Sequence, residues 1–117
     1  MYFWVLTVSK ADKEYHHEDK TFAVDGHLQD SILHISLSGR LDTLTAPDLL
    51  SLYQGIDQDS IKGIDIDFEN LDYISSAGLR VLLIMYKAHS DSFNLTGINK
   101  DVMDIFETTG FASIFGL

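Results

Sequence analysis

The sequence predicts an α/β domain in which a mixed sheet of four to five strands carries helices mainly on one face. Three observations predict it. Strand and helix patterns alternate from Ile32 onward, as they do in layered α/β folds. Two earlier strand-like runs flank Gln29, Asp30 and Ser31 and form an antiparallel hairpin, whereas the later strand-helix-strand units require parallel neighbours joined by right-handed crossovers. Polar residues such as Asp65 and Asp67 recur at alternate strand positions, which leaves the other face of the sheet at least partly open.

At 117 residues the chain fits one domain with a single core. Residues 2–8 are aromatic and β-branched and favour a strand or a packed extension. Tyr2, Phe3, Trp4 and Val5 are suited to cover the chain's own sheet or that of a second copy, the route to a homodimer. Residues 12–20 read as a polar connector containing His16 and His17, with Glu14, Glu18 and Asp19 nearby. Adjacent residues of a strand or helix point to different sides and no third spaced ligand is evident, so these read as solvated side chains rather than a metal site.

Residues 21–29 and 32–38 are strand-like. Leu33, Ile35 and Leu37 alternate with Ile32, His34, Ser36 and Ser38, giving one apolar face and a surface place for His34. Gly39 interrupts the run and Leu41 resumes it. Thr45, Ala46, Pro47 and Asp48 supply an N-cap hydroxyl, a first-turn proline and an acid for a helix whose buried stripe is Leu49, Leu50, Leu52 and Tyr53. Gly55 ends it.

Ile64, Ile66 and Phe68 alternate with Asp65, Asp67 and Glu69 as a half-buried strand, and Asn70 and Asp72 supply turn chemistry. From Ala77 to Tyr86 almost no polar face remains, so the helix there is expected to be buried on most sides; it is too short to span a bilayer. Residues 89–92 form a polar break and residues 93–97 another strand. Asn99 caps a third helix with the stripe Val102, Met103, Ile105 and Phe106, and Gly110 closes it. Residues 111–115 read as a short closing strand or a hydrophobic tail laid on the core.

Composition excludes several classes of function. There is no cysteine, hence no disulfide framework, thiolate metal site or cysteine nucleophile. A net charge of −10 with only eight lysines and arginines argues against nucleic acid and against an anionic membrane surface. The apolar opening lacks a basic leader and is followed by a densely charged stretch, so it does not read as a signal peptide and the cytoplasm is the expected location. No histidine or lysine is spaced to activate a serine, and Gly78 alone is too little for a nucleotide loop. The expectation is a protein without catalysis, cofactor or metal.

The chemistry concentrates at Ser75 and Ser76, just before the apolar helix. A serine there accepts a bond from an orphan N–H of the first turn. The same place favours negative charge, so the hydroxyl can be a cap, an anion ligand or an acceptor for phosphate.

Three blocks carry a family resemblance. Gly39, Arg40, Leu41, Asp42, Thr43, Ala46 and Pro47 form the first; Asp67, Phe68, Leu71, Tyr73, Ile74, Ser75, Ser76, Ala77, Gly78, Leu79 and Arg80 the second; Thr109, Gly110 and Phe111 the third. In this order they resemble the STAS domain, shared by bacterial anti-sigma factor antagonists and the cytoplasmic ends of sulfate transporters. The resemblance implies a STAS-like domain over residues 21–117 behind an N-terminal extension of residues 1–20. It also implies an anti-sigma factor antagonist, a phosphorylation-switched binding module whose partner is an anti-sigma factor with serine kinase activity and whose capture of that partner frees a sigma factor. Ser76 matches the phosphorylated position, with Ser75 the lesser alternative. Asp42, Thr43, Ser75, Ser76, Ala77, Gly78 and Arg80 are the implied partner-binding residues. Many phosphorylated members carry an acid before the target serine and a hydroxyl after it, where this chain has Ser75 and Ala77. The alternative within the same family is a constitutive scaffold or subunit of a signalling or lipid/anion transport assembly, with Ser76 only a helix cap.

Overall fold

The structure is a computed structural model and describes residues 13–117. The expected strand at residues 2–8, and the aromatic run proposed to mediate a homodimer, lie outside them. The elements are β1 (Lys13–Glu18), β2 (Phe22–Gln29), β3 (Ile32–Leu41), α1 (Ala46–Gln54), a single 3-10 turn (Gln58–Ser60), β4 (Gly63–Ile74), α2 (Ser76–Ala88), β5 (Phe93–Thr96), α3 (Lys100–Thr109) and α4 (Phe111–Phe115). One sheet runs in the order β1-β2-β3-β4-β5. Its first two pairings are antiparallel and its last two parallel, the mixed sheet expected.

The β2–β3 hairpin closes through Asp30 and Ser31, both at positive φ (53° and 68°), between the paired residues Gln29 and Ile32. Two left-handed central residues suit the right-handed twist of the strands they join. Along the strands, Phe22, Val24 and Leu28, then Leu33, Ile35, Leu37 and Leu41, then Ile64, Ile66 and Phe68 are buried. They meet Leu49 and Tyr53 of α1, Leu79, Leu82 and Met85 of α2, and Val102 and Phe106 of α3 in one core cluster. Apolar faces of helices and sheet thus bury one another. The opposite face carries Asp25, His34, Ser36 and Asn94, all exposed. There the Asp25 carboxylate beside His16 holds that imidazole's pKa above its ordinary value.

Four local expectations are corrected. Residues 13–18 are not a connector but the edge strand β1, paired residue for residue with β2 from Lys13↔Leu28 to Glu18↔Ala23. Asn70 and Asp72 do not turn the chain: β4 continues to Ile74, because Ser38, Gly39, Arg40 and Leu41 of β3 pair with Asn70, Leu71, Tyr73 and Ile74. Cross-strand bonding outweighs the turn propensity of those two side chains. Gly39 shifts the register without ending β3. At its φ of +87° a Cβ would lie 2.1 Å from the Thr21 carbonyl oxygen, so only glycine fits. Finally, residues 111–115 form the helix α4 rather than a strand, with Phe111 and Phe115 packed on the core.

Candidate functional site at the carboxyl ends of the parallel strands

The parallel strands β3 and β4 end side by side at the register pair Leu41↔Ile74. The ladder extends one residue further, with Ser75 N donating to Leu41 O at 2.9 Å. The turn entering α1 and the first turn of α2 therefore leave the sheet together, on the edge where open α/β sheets present their binding groups.

At the α1 entry the polar groups are tied to one another. Asp42 Oδ1 accepts from the backbone N–H groups of Leu44 (3.0 Å) and Thr45 (3.1 Å), an Asx-type turn. The Thr45 hydroxyl donates to Arg40 O at 2.7 Å and accepts from Asp42 N at 2.8 Å. Thr45 is thus the N-cap by position but not by side chain, since its hydroxyl makes no bond to the helix. It is also a buried polar residue, 3% exposed, with its hydrogen bonds satisfied. Thr43 is exposed at the tip of this turn, and beside it Leu44 is 84% exposed.

At the α2 entry the two serines divide the work. Ser75 is extended (φ −99°, ψ 175°), and its Oγ accepts from Gly78 N at 3.4 Å, a long N-cap bond. Ser76 is the first residue of the helix and is exposed. Among the described residues its hydroxyl has no hydrogen-bond partner. Residues 73–80 do form a strand-to-helix junction, and Ser76 lies at the surface rather than in the packing.

Other implied contact residues are placed differently. Gly78 is buried, and a Cβ there would stand 2.9 Å from Leu41 Cγ and Ile74 Cγ1 and 3.0 Å from Leu41 O. Its role is close packing of α2 onto the end of β3. Ala77 is half-buried against the core. Arg80 is exposed and four residues after Ser76, hence on the same helix face. Ile84, 46% exposed, and Lys87 continue that outer stripe, so α2 is less enclosed than its apolar composition suggests.

Three further residues at this rim went unread as site residues. Arg40 lies with its guanidinium carbon 4.3 Å from the Tyr73 ring centroid, a cation–π contact, and its Nε is 4.0 Å from Asp42 Oδ2. Leu44 is an apolar side chain inside a polar turn, out of step with the helix stripe that follows; that irregularity was the available signal. The pairing of Arg40 with Tyr73 depends on the β3–β4 register and has no signal in either segment alone.

Chemically, the rim offers an accessible hydroxyl with no base hydrogen-bonded to it among the described residues. Such a group is not an activated nucleophile.

A mixed sheet covered on one face, with a serine-bearing helix start beside the turn into the preceding helix, is the architecture of the STAS class. The family model described as "Mlab, STAS domain" matches residues 22–116, and the chain belongs to that family. It is 34% identical over 90 residues to the "Putative anti-sigma factor antagonist BtrV" of Bordetella bronchiseptica, covering 74% of this chain and 77% of that protein. It is 27% identical over 89 residues to the anti-sigma-B factor antagonist of Staphylococcus aureus, covering 74% of this chain and 82% of the relative. The fold matches the crystal structure of an anti-sigma factor antagonist from Mycobacterium paratuberculosis with a TM-score of 0.65 at 21% identity, over 89% of this chain and 82% of that one.

Proposed function

We propose that the chain is an anti-sigma factor antagonist, a binding module without chemistry of its own. It docks through the rim onto an anti-sigma factor with serine kinase activity, thereby frees a sigma factor, and is released when Ser76 is phosphorylated. Its place of action is the cytoplasm. The observation that carries this reading is the division between the two serines: Ser75 caps α2, which leaves the Ser76 hydroxyl exposed and without a partner among the described residues.

The electrostatics support a switch that blocks docking rather than one that melts the fold. A phosphoserine adds about −1.5 to −2 charges. At the start of α2 that charge meets the positive end of the helix dipole, and Arg80 lies one turn away on the same face. The phosphate is therefore tolerated by the domain while it alters the surface offered to a partner. Thr43 and Leu44 at the neighbouring turn supply polar and apolar contact on that surface, with Asp42 holding the turn in shape.

Ser76→Asp tests the reading. Binding to the anti-sigma factor is expected to fall by at least about thirtyfold, from like-charge or desolvation costs of about 2 kcal/mol or more at the contact, with the circular dichroism spectrum unchanged. Unchanged affinity would sink the switch. That result would instead favour the second reading, a constitutive scaffold in a signalling or transport assembly. A specific departure from the phosphorylated pattern supports this alternative: Ser75 and Ala77 stand where an acid and a hydroxyl are common.

A further inference from the structure

The edge strand β1 brings a histidine against two carboxylates that the sequence keeps far apart. In β1, His16 pairs with Asp25 and His17 with Val24, so His16 lies on the uncovered face and His17 on the helix side. There His17 Nε2 is 3.1 Å from Asp48 Oδ2, in the first turn of α1, and 3.8 Å from Asp19 Oδ2, in the β1–β2 turn. Ligand atoms of all three residues lie within 4.8 Å of one another. Two atoms bound at about 2.0–2.2 Å to one ion stand roughly 2.9–3.5 Å apart, so small shifts would bring the set onto a common ion.

Three further observations separate this cluster from an ordinary surface ion pair. His17 Nε2 is shielded from solvent, yet it makes no hydrogen bond of acceptable geometry to either nearby oxygen. Asp19 is fixed by its other oxygen, since Oδ1 accepts from Thr21 N at 2.8 Å, Phe22 N at 3.0 Å and the Thr21 hydroxyl at 3.2 Å. That leaves Oδ2 turned to the histidine, as an oriented ligand requires. Among the described residues neither carboxylate has a lysine or arginine partner, so two negative charges face one imidazole.

We propose that His17, Asp19 and Asp48 form a site for a divalent transition cation, of which zinc is the type, that ties the edge strand to α1. One imidazole nitrogen with two carboxylate oxygens suits such an ion better than calcium or magnesium, which take all-oxygen shells. The three side chains are 34–40% exposed, and a groove of about 380 Å³ lined by His17, Asp48, Ser51 and Leu52 adjoins them. Water can therefore complete the coordination.

Calorimetric titration of the chelator-washed, untagged full chain with Zn²⁺ tests the site. One equivalent is expected to bind and to raise the melting temperature. Both effects should be lost in His17→Ala and Asp48→Asn and kept in His16→Ala, whereas Mg²⁺ should produce neither. In the unmodified protein, the His17 ring resonances should respond first among the five histidines, a readout that does not depend on any variant folding. Absence of a stoichiometric site would overturn the proposal, as would binding that survives both substitutions or a first response at His16, His27, His34 or His89.

Discussion

The first turns of α1 and α2 begin on the same edge of the sheet and use their hydroxyls in opposite ways. At α1, Thr45 is buried and its hydroxyl bridges Arg40 O and Asp42 N; nothing is left to offer a partner. At α2, Ser75 performs the capping and the next serine is exposed, its hydroxyl without a partner among the described residues. A side chain that is needed by the fold cannot be modified without damaging it. One that is not needed can carry a signal, and under the proposed reading this contrast favours Ser76 over Ser75 and Thr45 as the regulated position.

The largest effect expected from breaking this contrast is at Thr45. Thr45→Val keeps the shape but leaves Arg40 O and Asp42 N without their partner, and the cost should be about 2–3 kcal/mol of unfolding free energy by urea denaturation. Gly78→Val comes next. Its Cβ would press on Leu41 and Ile74, and overpacking of this kind costs about 1–3 kcal/mol. It should shift the denaturation midpoint and also weaken partner binding by moving the start of α2. Ser75→Ala removes a cap whose bond is long, so the loss should fall near the low end of the capping range, about 0.5 kcal/mol. Ser76→Ala should change stability by less than about 0.5 kcal/mol. If Ser76→Ala proved as costly as Thr45→Val, the two hydroxyls would not differ in kind.

Much of this site was legible in the sequence because it lies within short, continuous segments. The strand ending at Ile74, the serine pair and the apolar helix adjoin one another in the chain, so cap chemistry and hydrophobic pattern identified the junction directly. What stayed hidden depends on partners distant in sequence. Asn70 and Asp72 read as a turn until β3 pairs with them. The polar string around His16 and His17 shows no alternation to mark it as a strand, and its role at the sheet edge comes from β2. Asp48 joins His17 and Asp19 only because α1 packs over β1. At α1 the cap-forming residue types were read correctly while their bonds were not, because Thr45 could bond either to the helix or back to Arg40, and its buried side chain takes the latter. The five residues of α4 are too few to display a helical period.

The most direct measurement of the central claim is calorimetric binding of the anti-sigma factor to two forms of the wild-type protein, one unmodified and one phosphorylated by that factor with ATP, the phosphate being mapped by peptide mass spectrometry. The account predicts a phosphate on Ser76 alone, a folded phosphorylated domain, and a complex with the unmodified form in ADP that is lost after modification. A phosphate on Ser75, or equal affinity of the two forms, would contradict it.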